Sequence, residues 1–180
     1  MKRTLLTITI ATFSLFGVMA QVPNKQSNQN SSDMNRIERA KKKSQELFGA
    51  QSVTNTSDPE LMYILQGLIF GEIFYVGNLD DKTRELITIT VLTTNQTLPQ
   101  LEAHTNAALN IGVPPIQIRE AVYQSAPFIG FPKVLDALDT INKVFTSRGI
   151  ALPLEHTGTV AEHERLQKGK QCNSLSMVTG

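Results

Sequence analysis

Residues 84–104 of this chain read RELITITVLTTNQTLPQLEAH and carry its clearest structural signal. The first part of this stretch follows an apolar helix pattern that holds one acidic residue, Glu85. The second part begins another helix, which carries His104, whereas the other two histidines lie in the C-terminal tail. Two titratable groups on neighbouring helices of an apolar domain are the minimum that proton-transfer chemistry needs. The stretch therefore predicts both a helical fold and a candidate site.

Residues 88–94 are rich in β-branched side chains, which favour a strand locally. We nevertheless predict a helix there, because the apolar pattern continues unbroken from Leu86 and an acidic pair precedes it at the position of a helix start. Thr97 and Gln100 have the spacing of a capping box at the start of the next helix. Since no other segment alternates as a strand does, the predicted fold is all-α, a bundle of about six helices.

The two ends of the chain differ in composition from its middle. Residues 1–20 combine two basic residues with a short uncharged apolar run and small residues at the end, a pattern typical of a cleavable signal peptide. Residues 21–33 are polar and are predicted to be a disordered linker. Residues 34–150 form the predicted helical domain, and residues 151–180 form a polar tail. We therefore expect an exported protein, periplasmic or secreted, that has no membrane attachment after cleavage.

Composition and spacing also argue against several classes of function. The formal net charge is +1, which leaves no electrostatic footprint for nucleic acid. The single cysteine, Cys172, cannot form an internal disulfide. The histidines lack the HxH and HExxH spacings of metal sites, so no metal is expected. Glycine-rich phosphate loops and serine nucleophile elbows are also missing from the sequence.

Two helix patterns precede the central stretch. The first, from residue 34 to residue 48, has an apolar face, and Lys41–Lys43 are predicted to face solvent. The second, Leu61–Val76, is almost wholly apolar, which is typical of a helix buried in a core or an oligomer interface. We therefore expect the chain to self-associate.

Spacing alone leaves two interpretations open for each titratable residue. Glu85 is either a surface acid near a helix start, paired with Arg84 or Lys82, or a partly buried carboxyl that exchanges protons near neutral pH. His104 is either a structural histidine whose hydrogen bonds are satisfied or a ligand-binding or catalytic one.

Several short motifs, taken in order, resemble the carboxymuconolactone decarboxylase family of the AhpD-like superfamily. They include KTRELITI at residues 82–89, LPQL at residues 98–101 followed by His104, and Gly130-Phe131-Pro132. The resemblance covers roughly residues 36–148. It implies an all-helical fold that assembles as trimers or hexamers, with active sites near subunit contacts.

The resemblance also implies roles for single residues. The thiol peroxidase branch of the superfamily uses a glutamate, a CxxC pair and a histidine, and Glu85 and His104 stand at two of those positions. Thr97 and Gln100 replace the two cysteines, so no thiolate is present to reduce a peroxide, and peroxiredoxin activity is disfavoured. The decarboxylase branch also lacks the cysteines. It implies a lyase that needs no cofactor and acts on a small carboxylate or lactone, with His104 and Glu85 catalytic and with Gln100, Thr97 and Arg84 binding the substrate.

An alternative interpretation is a non-catalytic, oligomeric, small-molecule-binding protein of the cell envelope. The loss of both cysteines favours it, and so does the presence of a signal peptide. The tail, residues 151–180, resembles the connector that leads to a second copy of the domain in longer relatives.

Overall fold

The computed structural model describes residues 35–50 and 57–178, with side chains up to residue 172. Residues 1–34, which include the predicted signal and linker, lie outside the described residues. In chain order the helices are α1 Arg36–Phe48, α2 Pro59–Leu65, α3 Asp81–Asn95, α4 Leu98–Asn110, α5 Pro115–Tyr123, α6 Ala126–Ile129, α7 Phe131–Ser147 and α8 Arg165–Val178. A π-helical turn, Gln66–Phe70, and a 3-10 turn, Ile73–Tyr75, follow α2, and a second 3-10 turn, Glu162–Glu164, precedes α8.

The described residues contain helices and no strand, which confirms the predicted all-α class. The structure adds α6, where the sequence predicts only an apolar turn. This one-turn helix forms because Pro127 suits the first turn and because the carbonyl of Ser125 accepts hydrogen bonds from the next available N–H groups, those of Phe128 and Ile129.

Helix α3 forms despite its β-branched segment. Asp80 caps its start: Oδ1 of Asp80 accepts a hydrogen bond from the backbone N–H of Thr83 at 2.7 Å. This hydrogen bond lowers the pKa of Asp80. Thr88 and Thr90 each donate their hydroxyl to the carbonyl four residues earlier at 2.9 Å, and Thr94 does the same. These bonds satisfy the hydroxyls of Thr88, Thr90 and Thr94 within the helix, so these three do not compete for an extended backbone. The hydroxyl of Thr93 is buried and has no partner among the described residues.

The main core lies between α3, α4, α5 and α7. Its apolar members are almost fully buried: Ile89 on α3, Leu101 and Ala108 on α4, Val113 between α4 and α5, Ile118 and Val122 on α5, and Val134, Ala137, Ile141 and Phe145 on α7. A second cluster, built from α1, α4 and the π-helical turn, contains Ala40, Leu47, Phe70 and Ala107. The candidate site lies on α3 and α4, whose side chains contribute to these clusters.

The apolar run Leu61–Val76 is not one continuous helix, and it is not buried within the chain as the sequence predicts for a core helix. The α-helix ends at Leu65, and the π-helical turn and the 3-10 turn follow it. Within the run only Gly67, Phe70 and Gly71 are buried. Apolar side chains on α2 remain exposed; Leu61, for example, is 60% exposed.

Helix α1 approaches the π-helical turn closely. A side chain at Gly71 would meet the backbone oxygen of Arg36 at 2.5 Å, so only glycine fits at this contact. The prediction that Lys43 faces solvent is wrong, because Lys43 is only 8% exposed and its ammonium donates to the carboxylates of Glu46 and Asp81. Periodicity could not identify this ion pair, because Asp81 lies on a different helix.

The segment after α7 is held against α5 by Arg119. Its guanidinium donates to the backbone oxygen of Glu155 at 3.0 Å, to the hydroxyl of Thr157 at 3.3 Å and to the carboxylate of Glu120 at 3.0 Å. Helix α8 follows, and its side chains are exposed from Arg165 to Cys172. Within the two described ranges, no helix has both the length and the apolar character that crossing a bilayer requires.

Candidate functional site

The carboxyl group of Glu85 lies inside the protein. Glu85 occupies the second turn of α3, on the face that also carries the core residue Ile89, and its side chain is 0% exposed. The surface interpretation of this residue is therefore wrong for the described structure. Burying a carboxyl group is costly unless hydrogen bonds or charges compensate for it, so its partners decide what it can do.

His104 is the partner of Glu85. A short turn at Gln96, which adopts a left-handed backbone with φ 58°, reverses the chain between α3 and α4. The turn brings the Nδ1 atom of His104 to 2.8 Å from Oε2 of Glu85. The imidazole is 18% exposed, so it connects the buried carboxyl to the surface. The structure thus brings together the two residues that the sequence singles out.

The hydrogen bond fixes the protonation pattern of the imidazole. When Glu85 is ionised it can only accept, so Nδ1 of His104 carries the proton. The other ring nitrogen, Nε2, forms no hydrogen bond with any residue in the described ranges. It is a proton acceptor in the neutral ring and a proton donor in the imidazolium, which the carboxylate stabilises.

The carboxyl group of Glu85 is incompletely satisfied. Its second oxygen, Oε1, is fully buried and has no hydrogen-bond partner among the described residues. Nearly all buried polar atoms in folded proteins have a partner, so each exception needs an explanation. A site that exchanges protons or accepts a ligand is one such explanation.

A phenylalanine that the sequence does not single out lies against His104. The ring of Phe48, the last residue of α1, is 5.5 Å from the imidazole centroid at an interplanar angle of 85°. Phe70 contacts Phe48 from the π-helical turn with its centroid at 5.5 Å. Helical periodicity assigns Phe48 to the end of a helix but gives no information about which helix it contacts.

The residues that the sequence suggests for substrate binding lie near the dyad in sequence. They differ in whether their side chains are exposed or hydrogen-bonded to the backbone. Thr97 and Gln100 are exposed, and Gln100 lies one turn before His104 on α4. The predicted capping box is wrong, because the side chain of Thr97 makes no capping hydrogen bond and Pro99 occupies the first turn instead. Arg84 donates from Nη2 to the carbonyl of Val76 and from Nε to that of Leu79 at 3.2 Å, so both groups help to hold the chain before α3.

Charged groups at the base of α3 anchor α1 beside the dyad. Burial alone would lower the pKa of Lys43, but its hydrogen bonds to Asp81 and Glu46 outweigh burial and the pKa is raised above its ordinary value of 10.5. Burial raises the pKa of the neighbouring Tyr75 hydroxyl. Among the described residues, no three histidine, cysteine or acidic side chains are grouped closely enough to hold a metal ion.

Comparison with known proteins shows which family the chain resembles. The model of the carboxymuconolactone decarboxylase family matches residues 59–142, which span α2 to most of α7 and include both dyad residues. A nitrosuccinic acid decarboxylase of Metarhizium robertsii is 32% identical over 74 residues, which are 41% of this chain and 52% of that protein. An uncharacterized 15.0 kDa protein of Paracoccus denitrificans, from the nqo9-nqo10 intergenic region, is 36% identical over 78 residues, which are 42% of this chain and 58% of the relative.

The chain therefore spans about half the length of the curated relatives that it matches. The match begins at Pro59, so α1 and the ring of Phe48 lie outside it. The helical fold and the family model agree with the resemblance noted from the sequence motifs. Residues 59–142 of this chain, which include both dyad residues, are therefore similar to the carboxymuconolactone decarboxylase family.

Proposed function

We propose that this protein is a cofactor-independent decarboxylase of a small carboxylic acid or lactone acid, in which His104 and Glu85 transfer the proton. The observation that carries the proposal is the contact of 2.8 Å between Nδ1 of His104 and the fully buried carboxyl of Glu85. The family and the decarboxylase name of the Metarhizium relative support a decarboxylase-like function.

The chemistry needs a proton donor rather than a nucleophile. When the bond between the carboxylate carbon and its neighbour breaks, CO₂ leaves and the bonding electron pair stays on the substrate carbon. The imidazolium of His104 then donates the proton on Nε2 to that carbon, which becomes a C–H group. Solvent returns the proton to His104, and the carboxylate of Glu85 stabilises the imidazolium until the next substrate is decarboxylated.

Substrate binding is assigned to three residues near the dyad. Gln100 shares the helix face of His104, and Thr97 begins that helix, so their exposed side chains can reach a ligand on the imidazole. Arg84 uses Nε and Nη2 on backbone carbonyls. No residue in the described ranges accepts from its Nη1, which stays available for a carboxylate.

The decisive experiment measures CO₂ release and isotope incorporation. Purified protein is incubated in D₂O with nitrosuccinate and a panel of small carboxylates and lactone acids. We expect one substrate to release CO₂ and to gain deuterium at the carbon that lost the carboxylate. His104→Gln should lower the turnover by about 10²–10⁴-fold, the usual contribution of a positioned general acid.

A matched control separates the site from the rest of the chain. His163 lies exposed in the 3-10 turn before α8, so His163→Gln should retain wild-type turnover. The proposal fails if no substrate in the panel releases CO₂, or if His104→Gln turns over as fast as wild type. Ligand-induced thermal stabilisation that depends on His104 but occurs without CO₂ release would instead support the non-catalytic binding protein.

We also propose that the chain forms a homo-oligomer, a trimer or hexamer. Leu61, Ile64 and Leu65 are exposed at the i, i+3, i+4 spacing of one face of α2, and Leu68 is exposed in the π-helical turn that follows. Such apolar surface is costly to leave in water. Light scattering coupled to size exclusion should report an oligomer that Ile64→Glu dissociates. Leu166→Glu, on the exposed α8, serves as the control, and a monomeric wild type contradicts the proposal.

Export is the remaining part of the proposal. Residues 1–20 have the composition of a signal peptide, so the mature protein should begin at Gln21 in the periplasm or outside the cell. N-terminal sequencing of the protein recovered from its native host should find that start. An intact Met1 in the cytoplasmic fraction would contradict it.

A further inference from the structure

We propose that Phe48 is a positioning residue of the site, which holds the imidazole of His104 in the orientation that keeps Nδ1 on Glu85. This inference rests on the proposed function for its effect on turnover, although its structural part stands without it. Phe48 lies outside residues 59–142, so the family match does not include it.

The contact between the two rings is specific in geometry. The centroids are 5.5 Å apart and the planes meet at 85°, an edge arrangement that aromatic rings prefer over a parallel sandwich. An imidazole that is held by one hydrogen bond alone can still change its χ1 and χ2 angles. A perpendicular ring against it removes this freedom, so Nε2 is presented in one direction.

Phe48 is itself held in place from three sides. The amide of Asn110 on α4 donates to the carbonyl of Leu47 at 2.7 Å, which fixes the end of α1 beside the helix that carries His104. Lys43, one turn earlier, is bound to Asp81 at the start of α3. On its other side, the ring of Phe70 packs against Phe48 with centroids 5.5 Å apart.

The chain leaves α1 immediately after this ring. Gly49 caps the helix with φ 71° in the left-handed region, where glycine carries no steric penalty, and its N–H donates to the carbonyl of Gln45 at 3.1 Å. Phe48 is therefore the last residue that the helix fixes. The end of α1 is bound to α4 through Asn110 and its middle to α3 through Lys43, the two helices that carry the dyad.

The test reads the imidazole directly, without relying on turnover. The ring nitrogens of the three histidines are recorded by ¹⁵N NMR, and His104→Gln identifies the signal of His104. In wild type we expect the shifts of a single tautomer with the proton on Nδ1. Phe48→Leu and Phe48→Met should move these shifts toward the average of the two tautomers and lower the turnover about ten-fold, since misorientation of a catalytic group reduces the rate.

Two further variants separate positioning from packing. Phe48→Tyr keeps the ring and should restore both the shifts and the turnover. Phe128→Leu removes an aromatic ring that is 87% exposed on α6 and should leave both readouts as in wild type. Phe48→Met fills the space with a flexible apolar side chain, so it provides a folded variant if Phe48→Leu does not fold.

The outcomes distinguish this inference from the proposed function. If Phe48→Met leaves the ring-nitrogen shifts of His104 unchanged, the positioning role is wrong whatever the protein catalyses. If the shifts move but no substrate is decarboxylated by wild type, the positioning role stands and the proposed function fails.

Discussion

Glu85 pairs with His104 in the dyad, and Glu120 pairs with Arg119 and Thr157 in a second polar cluster. The dyad and the cluster differ in how fully the hydrogen bonds of their carboxylates are satisfied. In the cluster, Oε1 of Glu120 accepts from Arg119 at 3.0 Å and from Thr157 at 2.9 Å, and Arg119 also binds the backbone of the tail. In the dyad, one carboxylate oxygen has no partner among the described residues. A saturated cluster stabilises a structure, whereas an unsaturated one keeps polar atoms available for chemistry.

The surroundings of the two sites strengthen this contrast. Arg119 lines a surface cleft of about 340 Å³ together with Tyr123, Asn142 and apolar residues of α7 and the tail. Its guanidinium lies 5.2 Å from the ring of Tyr123. Because the charge of Arg119 is already paired with Glu120, we assign this cluster to holding the segment after α7, not to binding a substrate.

The largest expected effect separates activity from stability at the dyad. Glu85→Gln keeps the size of the side chain but cannot stabilise the imidazolium, so turnover should fall about 10²-fold. The free energy of unfolding should stay within about 1 kcal/mol of wild type, because the amide keeps the volume of the carboxyl and its oxygen still accepts from Nδ1 of His104, so one buried polar atom lacks a partner before and after the change. Urea unfolding and initial rates check the two halves. A large loss of stability would mean that Glu85 is chiefly structural.

The next largest effect is expected at the cluster of Arg119, Glu120 and Thr157, where a substitution should lower stability and leave turnover unchanged. Arg119→Met removes four hydrogen bonds, two to Glu120 and two to the tail, which should lower the free energy of unfolding by about 1–3 kcal/mol. Turnover per folded molecule should not change. Arg165→Met is the control, because that arginine is 76% exposed in an ion pair with Glu162 and should contribute less than about 1 kcal/mol.

The fold could be predicted from the sequence where local periodicity decides the outcome. The pattern from Leu86 onward and the aspartate cap outweigh the strand preference of the threonines in α3. The same periodicity places Glu85 and His104 on helices joined by a short turn, so their approach follows from local structure. Gly71 and Lys43, by contrast, are explained only by contacts with distant parts of the chain.

The rest could not be predicted because it depends on how α1 docks. A 3.6-residue pattern identifies the buried face of a helix but not the helix that packs against it. Only the structure therefore shows that Phe48 lies against His104 and Lys43 against Asp81. The exposed apolar face of α2 belongs to the same class. Its sequence resembles that of a buried helix, and only the structure shows that, in the part of the chain it describes, these apolar side chains stay exposed.

A smaller effect is expected in the pH dependence of stability. Hydrogen bonds from Arg119 and then from Thr157 hold the pKa of Glu120 below its ordinary value of 4.5. Because the folded pKa is depressed, the contribution of Glu120 is present above pH 4.5 and is lost as the pH falls through the lowered folded value. Glu120→Gln should therefore reduce the loss of stability below pH 4.5. An acid unfolding curve identical to wild type would contradict this.

The smallest effect is expected from removing α8. Its side chains from Arg165 to Cys172 are exposed, so a chain that ends at Gly158 retains the Arg119 contacts to Glu155 and Thr157. The melting temperature and the turnover should both match those of the full chain. A clear drop in the melting temperature or in the turnover would show that α8 contributes to stability or activity in a way that neither the dyad nor the Arg119 cluster explains.

A double-mutant cycle on turnover tests the central claim most directly. If Glu85 and His104 act as one unit, the Glu85→Gln/His104→Gln double variant turns over no more slowly than the worse single variant, because either change alone disables the pair. If the two losses multiply instead, the residues act independently. The contact between them would then not be the basis of the activity.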